Sequence, residues 1–98
     1  MSLDFKHINA EALSRLQSLL FHWLPEGRLI GSEFTSRNPT RPDNRPGSFS
    51  INVHTGKWAD FATNDRGGDP ISLYAYLHGM KQGEAARELA RQMGVDHG

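Results

Sequence analysis

NPTRPDNRPGSFSINVHTGKWADFATNDRGGD, residues 38–69, is the stretch on which the fold turns. From Ser48 to Val53 apolar and polar residues alternate, with Phe49, Ile51 and Val53 on one side and Ser48, Ser50 and Asn52 on the other. A period of two marks a half-buried strand. Thr55-Gly56 supplies a turn, and in the short run that follows Ala59 and Phe61 share one face while Trp58 and Asp60 share the other. The two runs read as a β-hairpin. With Ala59 and Phe61 set beside Phe49 and Ile51 on the core side, Trp58 is expected on the open face next to Ser50 and Asn52. The segment before the hairpin, Ser36 to Gly47, holds Pro39, Pro42 and Pro46 among Asn, Asp and Arg residues. Such a segment makes a loop, where binding residues concentrate.

Outward from the hairpin, the pattern changes from strand to helix. Gly67-Gly68-Asp69-Pro70 signals a helix start, with Asp69 as N-cap and Pro70 at the first helical position. This helix is expected to run to about His78, burying Ile71, Tyr74 and Leu77 or His78, with Gly79 as its stop. A last helix spans about Gln82 to Met93, burying Ala85, Ala86, Leu89, Ala90 and Met93, and Gly94 ends it. Toward the N-terminus, Asn9 is the expected cap of a helix carrying Leu13, Leu16, Leu20, Trp23 and Leu24 at helical spacing, with Pro25 ending it. Arg28 to Thr35 reads as a first strand. The expected fold class is therefore α+β: a small three-stranded antiparallel sheet packed against an N-terminal helix and a C-terminal helical pair.

The 98-residue chain carries 11 basic and 11 acidic side chains, for a formal net charge of zero. Domains of this length bury roughly 60 to 68% of their unfolded surface, so a single domain over 1–98 with one modest core is expected. Absence of cysteine removes disulfide and thiol redox chemistry and suits a cytoplasmic protein. No apolar run is long enough to span a membrane, and no signal-peptide pattern is present. Neutrality overall counts against attraction of nucleic acid by the whole surface, but the charge is unevenly spread. Arg37, Arg41 and Arg45 make the loop basic, Lys57 and Arg66 add charge around the hairpin, and the segments on either side are slightly acidic.

The ordered set Pro46-Gly47-Ser48-Phe49-Ser50-Ile51-Asn52, Trp58-Ala59-Asp60-Phe61-Ala62, Gly67-Gly68-Asp69 and Glu84-Ala85-Ala86-Arg87-Glu88-Leu89-Ala90 resembles the N-terminal zinc-ribbon domain of bacterial and phage DNA primases and primase-helicases. The resemblance covers roughly residues 29–93 and is nearest to the zinc-free versions of that domain. It implies recognition of template DNA by the front part of a longer protein from a phage or other mobile element. Metal-binding relatives use a Cys-x-x-His pair before the hairpin and a Cys-x-x-Cys pair before Gly-Gly-Asp. Here the second pair falls on Phe61 and Asn64, and the interval Gly31 to Pro42, which would hold the first, contains neither Cys nor His. No metal and no cofactor are expected. The histidines, His7, His22, His54, His78 and His97, are dispersed without ligand spacing. A structural zinc contributes about 10 to 16 kcal/mol in small zinc peptides. The helices are the expected replacement, and Phe61, in the place of a ligand, is expected to bury an aromatic side chain where the thiolates would have been, at about 1.5 to 3 kcal/mol for full burial.

Catalysis is not expected of this chain. Asp60, Asp65 and Asp69 are its one close acidic set, and Asp69 is accounted for as a cap and Asp65 as a turn residue. No nucleophile elbow or phosphate-binding P-loop is present. The candidate nucleic-acid-binding residues are Arg37, Arg41, Arg45, Lys57, Trp58 and Arg66, the cations for phosphates and Trp58 as a stacking platform for a base. Set against this are solvated loop charges and a Trp58 that covers a second small core or clamps the loop. The expected function is a noncatalytic module that positions single-stranded template DNA for a primase catalytic or helicase domain. The alternative is a protein-docking domain that has lost DNA and zinc binding and uses an apolar patch such as Trp58 with Tyr76.

Overall fold

A computed structural model of the chain describes residues 4–41 and 48–94. The described elements run α1 (Phe5–Ser14), α2 (Leu16–Trp23), β1 (Arg28–Ile30), β2 (Glu33–Ser36), β3 (Phe49–Asn52), β4 (Trp58–Asp60), β5 (Asp65–Gly67), α3 (Pro70–His78) and α4 (Gln82–Met93). The strands form one antiparallel meander in the order β1-β2-β3-β4-β5. The α+β class is as expected, but the sheet has five strands where three were expected. Two local turns account for the difference. Gly31 adopts φ 60°, open to glycine without steric penalty, and folds the expected single strand Arg28–Thr35 into the hairpin β1-β2. Asn64, at φ 67°, turns the chain after β4 so that Asp65–Gly67 pairs as an edge strand. β5 is short and polar and therefore carries no hydrophobic periodicity to announce it.

The N-terminal helix begins earlier than expected and is broken. Asp4 caps it, accepting from the His7 N–H at 3.1 Å. Asn9, the expected cap, lies inside α1 and caps a different helix: its Oδ1 accepts from the Ile71 N–H at the start of α3, at 2.9 Å. The break falls at Arg15, whose φ of −127° leaves the helical region. The break falls where the buried side of the helical segment passes from one core to another. Ile8 and Ala12 of α1 pack with Ile71, Tyr74 and Ala75 of α3 and Ala85, Ala86, Leu89 and Ala90 of α4. Leu16, Leu20 and Leu24 pack instead on Phe34, Phe49, Ile51, Val53 and Trp58 of the sheet side, with Leu73 of α3. α3 joins the two cores and is buried on both sides, so its buried set is wider than one stripe.

The local signals for the last two helices hold. Asp69 accepts from the Ser72 N–H at 2.8 Å in a capping box, Pro70 opens α3, and Gly79 ends it in the left-handed region. Gly94 ends α4 in the same way. No helix among the described residues is long and apolar enough to cross a membrane.

Candidate nucleic-acid interface

Register decides which side chains the sheet offers outward. The Asn52 N–H donates to the Lys57 carbonyl and the Gly56 N–H to the Asn52 carbonyl, so Ile51 pairs with Trp58 and Phe49 with Asp60. Cross-strand partners share a face, so Trp58 and Asp60 point into the protein with Phe49 and Ile51. The expected parity of β4 is thus reversed. Trp58 is 6% exposed, and its indole N–H donates to Ser72 Oγ at 3.0 Å. Its ring lies 4.7 Å from that of Tyr76. The apolar patch expected of this pair is consequently internal. Phe61, expected to be buried in place of a metal, is 76% exposed. Gly67 fits the corrected arrangement, because a Cβ there would lie 2.5 Å from Trp58 Nε1 and 2.6 Å from Ser72 Oγ.

Asp60 can point inward because its carboxylate is fully satisfied. It is 0% exposed, and Asn38 beside it 1%. Asn38 Nδ2 donates to Asp60 Oδ2 at 2.8 Å, the Ala62 N–H donates to Oδ1 at 2.8 Å, and Arg41 Nη1 reaches Oδ2 at 3.2 Å. Burial pushes the carboxyl upward, but the Asn38 amide, the Ala62 N–H and the Arg41 guanidinium outweigh it and hold Asp60 below 3.8. Asn38 Nδ2 also donates to the Tyr76 hydroxyl at 2.8 Å, which donates in turn to Asp65 Oδ2 at 2.8 Å. Thr40 closes the group by donating to Asn38 Oδ1 at 2.7 Å. Among the described residues no buried side-chain polar atom lacks a partner. This cluster ties residues 38–41 to the end of β4 and to α3.

The outer face has a different composition. Arg28, Thr35, Ser50, Ala59 and Arg66 are successive cross-strand partners and form one row across all five strands. At a strand spacing of about 4.8 Å the row is about 19 Å wide, small in the middle and cationic at both ends. A second row holds Ile30, Glu33 and Asn52, with Lys57 opposite Asn52. Among the described residues Arg28, Lys57 and Arg66 make no salt bridge. Glu33, Ser50, Asn52, Lys57, Ala59 and Phe61 line a shallow concavity of about 390 Å³. Glu33 lies across β3: its Oε1 accepts from Ser50 Oγ at 2.6 Å and its Oε2 from Asn52 Nδ2 at 2.9 Å.

Of the residues expected to bind, Lys57 and Arg66 are exposed on this outer face. Trp58 is inside, although it also contributes to the lining of the concavity. Arg41, with its side chain 15% exposed, is joined to Asp60. Arg37 is exposed but lines a separate depression with Trp23, Leu24 and Pro25. Arg45, and with it the Pro42–Gly47 part of the loop, lies outside the described residues. Sequence reading missed Phe61 as an outward aromatic, and it missed Arg28 and Glu33. The signal for Phe61 was the size of its neighbour, since burying Trp58 removes more apolar surface than burying Ala59. Among the described residues no group of three or more His, Asp or Glu side chains is arranged to hold a metal ion. No family model matches the chain, and no curated protein matches it in sequence.

Proposed function

We propose that this chain is a noncatalytic module that holds single-stranded DNA on the outer face of its sheet and positions it as template for a primase or primase-helicase. The observation that carries the reading is the row Arg28-Thr35-Ser50-Ala59-Arg66 with Phe61 exposed beside it. Small side chains let a strand approach the sheet, cations at the rims meet its phosphates, and an exposed aromatic ring stacks a base at about 1 to 3 kcal/mol. The net charge of zero is no obstacle, because the cations that matter are gathered at the edges of one face. The carboxylates of the hairpin region support a noncatalytic role: Asp60 is held by Asn38 and Arg41, Asp65 by Tyr76, and Asp69 by the start of α3.

The resemblance to metal-free primase zinc ribbons is part of the same proposal, and the buried cluster gives it a physical basis. In metal-binding relatives the ligand pairs correspond to the interval Gly31 to Pro42 and to Phe61 and Asn64. Asn38 and Arg41 lie in that interval, and Asp60 adjoins Phe61. A hydrogen-bonded carboxylate thus links the two segments that zinc would join, where the sequence reading looked to the helices and a buried Phe61. A cytoplasmic setting accords with the absence of cysteine.

Fluorescence anisotropy with a short labelled single strand tests the proposal. Binding is expected to fall steeply with salt, to weaken roughly 5- to 150-fold in Phe61→Ala, and to be poorer for a duplex of equal length. Binding indifferent to salt and to Phe61, or no binding at low salt, overturns it.

A further inference from the structure

The outer face carries one feature that attraction of phosphate does not explain. Glu33 places a carboxylate among the cations, where it opposes the approach of a phosphate backbone. It is also oriented: Ser50 and Asn52, both on β3, each donate to one of its oxygens, at 2.6 and 2.9 Å. A carboxylate has about four lone-pair sites, so after these two bonds each oxygen still has one acceptor position. Glu33 lines the same concavity as Phe61, with Ala59 and Ser50 also in its lining. A base stacked on Phe61 and lying over Ala59 turns its edge toward β3 and the carboxylate.

We infer that Glu33 reads the edge of one base in the bound strand and selects guanine; this inference rests on the single-strand reading above. Two acceptor oxygens side by side match two parallel N–H donors, the arrangement that makes carboxylate pairing bidentate. Guanine offers that pair on its Watson–Crick edge, from N1–H and the 2-amino group. Cytosine and adenine offer one amino group beside a ring acceptor. Thymine offers a single N–H between two carbonyls, both of which the carboxylate repels. Ser50 and Asn52 are then positioning residues that hold Glu33 across the strands, and Lys57 opposite Asn52 offsets the local negative charge.

Competition anisotropy is run with strands of thymine that carry one guanine, inosine, cytosine or adenine, against the intact protein and Glu33→Gln. Guanine is expected to bind roughly 5- to 150-fold more tightly than thymine, and inosine, which keeps N1–H and lacks the 2-amino group, to lose most of that advantage without any change to the protein. Glu33→Gln is expected to bring guanine and thymine strands close together, partly by raising affinity for thymine. Equal affinity for all strands, or a guanine preference unchanged by inosine and by Glu33→Gln, overturns the inference and leaves the single-strand reading standing. Glu33→Gln weakening every strand by one common factor assigns Glu33 a structural role and also overturns it. Failure of every strand to bind at low salt overturns both.

Discussion

β4 and its neighbours have two faces that solve opposite problems. The inner face places Trp58 and Asp60 against α3 and the 38–41 segment, where among the described residues every buried side-chain polar atom has a partner and the rings of Trp58, Phe49 and Tyr76 pack together, Phe49 edge-on to Trp58. The outer face, one residue out of phase, carries Lys57, Ala59 and Phe61, and with them an exposed aromatic ring and unbridged cations. A buried charge is retained only when its partners are complete, whereas a binding face leaves groups for a ligand to complete. On the proposed function the difference divides structural from binding residues within a single strand, and substitutions on the two faces should therefore separate cleanly.

The largest effect is expected at the cluster. Asp60→Ala removes the buried carboxylate that accepts from Asn38, Ala62 and Arg41 and should cost about 3 to 5 kcal/mol in urea unfolding, whereas Arg66→Ala on the outer face should change stability by less than about 0.5 kcal/mol. Asp60 also sets a pH dependence. Its carboxyl is lowered below 3.8 in the folded state, so the unfolded chain binds the proton more readily. The stabilisation is present above the unfolded value and is lost as pH falls through the folded one. Unfolding measured along an acid series should show this loss, and Asp60→Asn should flatten that part of the curve.

Gly67→Ala is expected to be smaller, about 1 to 3 kcal/mol, because its Cβ would collide with the Trp58 indole. A change in Trp58 fluorescence should accompany it. Phe61→Ala inverts the pattern, leaving urea stability within about 0.5 kcal/mol of the parent while single-strand affinity falls. The smallest effect belongs to the rims: Lys57→Ala and Arg66→Ala should each lower the salt slope of binding by about 0.7, one phosphate contact apiece.

These two faces also mark where sequence is informative. The capping of α3 by Asp69, its stop at Gly79 and the burial of Phe49 and Ile51 depend on residues within a turn or a strand of one another, and each is readable in place. The parity of β4 is not local. Trp58-Ala59-Asp60-Phe61 alternates equally well in either phase, and inward placement of Asp60 becomes acceptable only with Asn38 and Arg41, which lie 22 and 19 residues away. A slip of one residue then exchanged Trp58 for Phe61 as the outward aromatic. The break at Arg15 was hidden for a similar reason, since the apolar spacing runs through it and does not announce the passage from one core to the other. Lys57 and Arg66 were correctly seen as exposed cations, because charged residues at a turn and on a short edge strand have few alternatives.

The central claim, that the outer face is the binding face, is tested most directly by titrating a short single-stranded DNA into nitrogen-labelled protein and following the amide resonances. The expected shifts fall on Thr35, Ser50, Asn52, Lys57, Ala59, Phe61 and Arg66 and spare Ile8, Ala85 and Leu89 in the helical core. Shifts confined to the helices, or none at saturating strand and low salt, would contradict the claim.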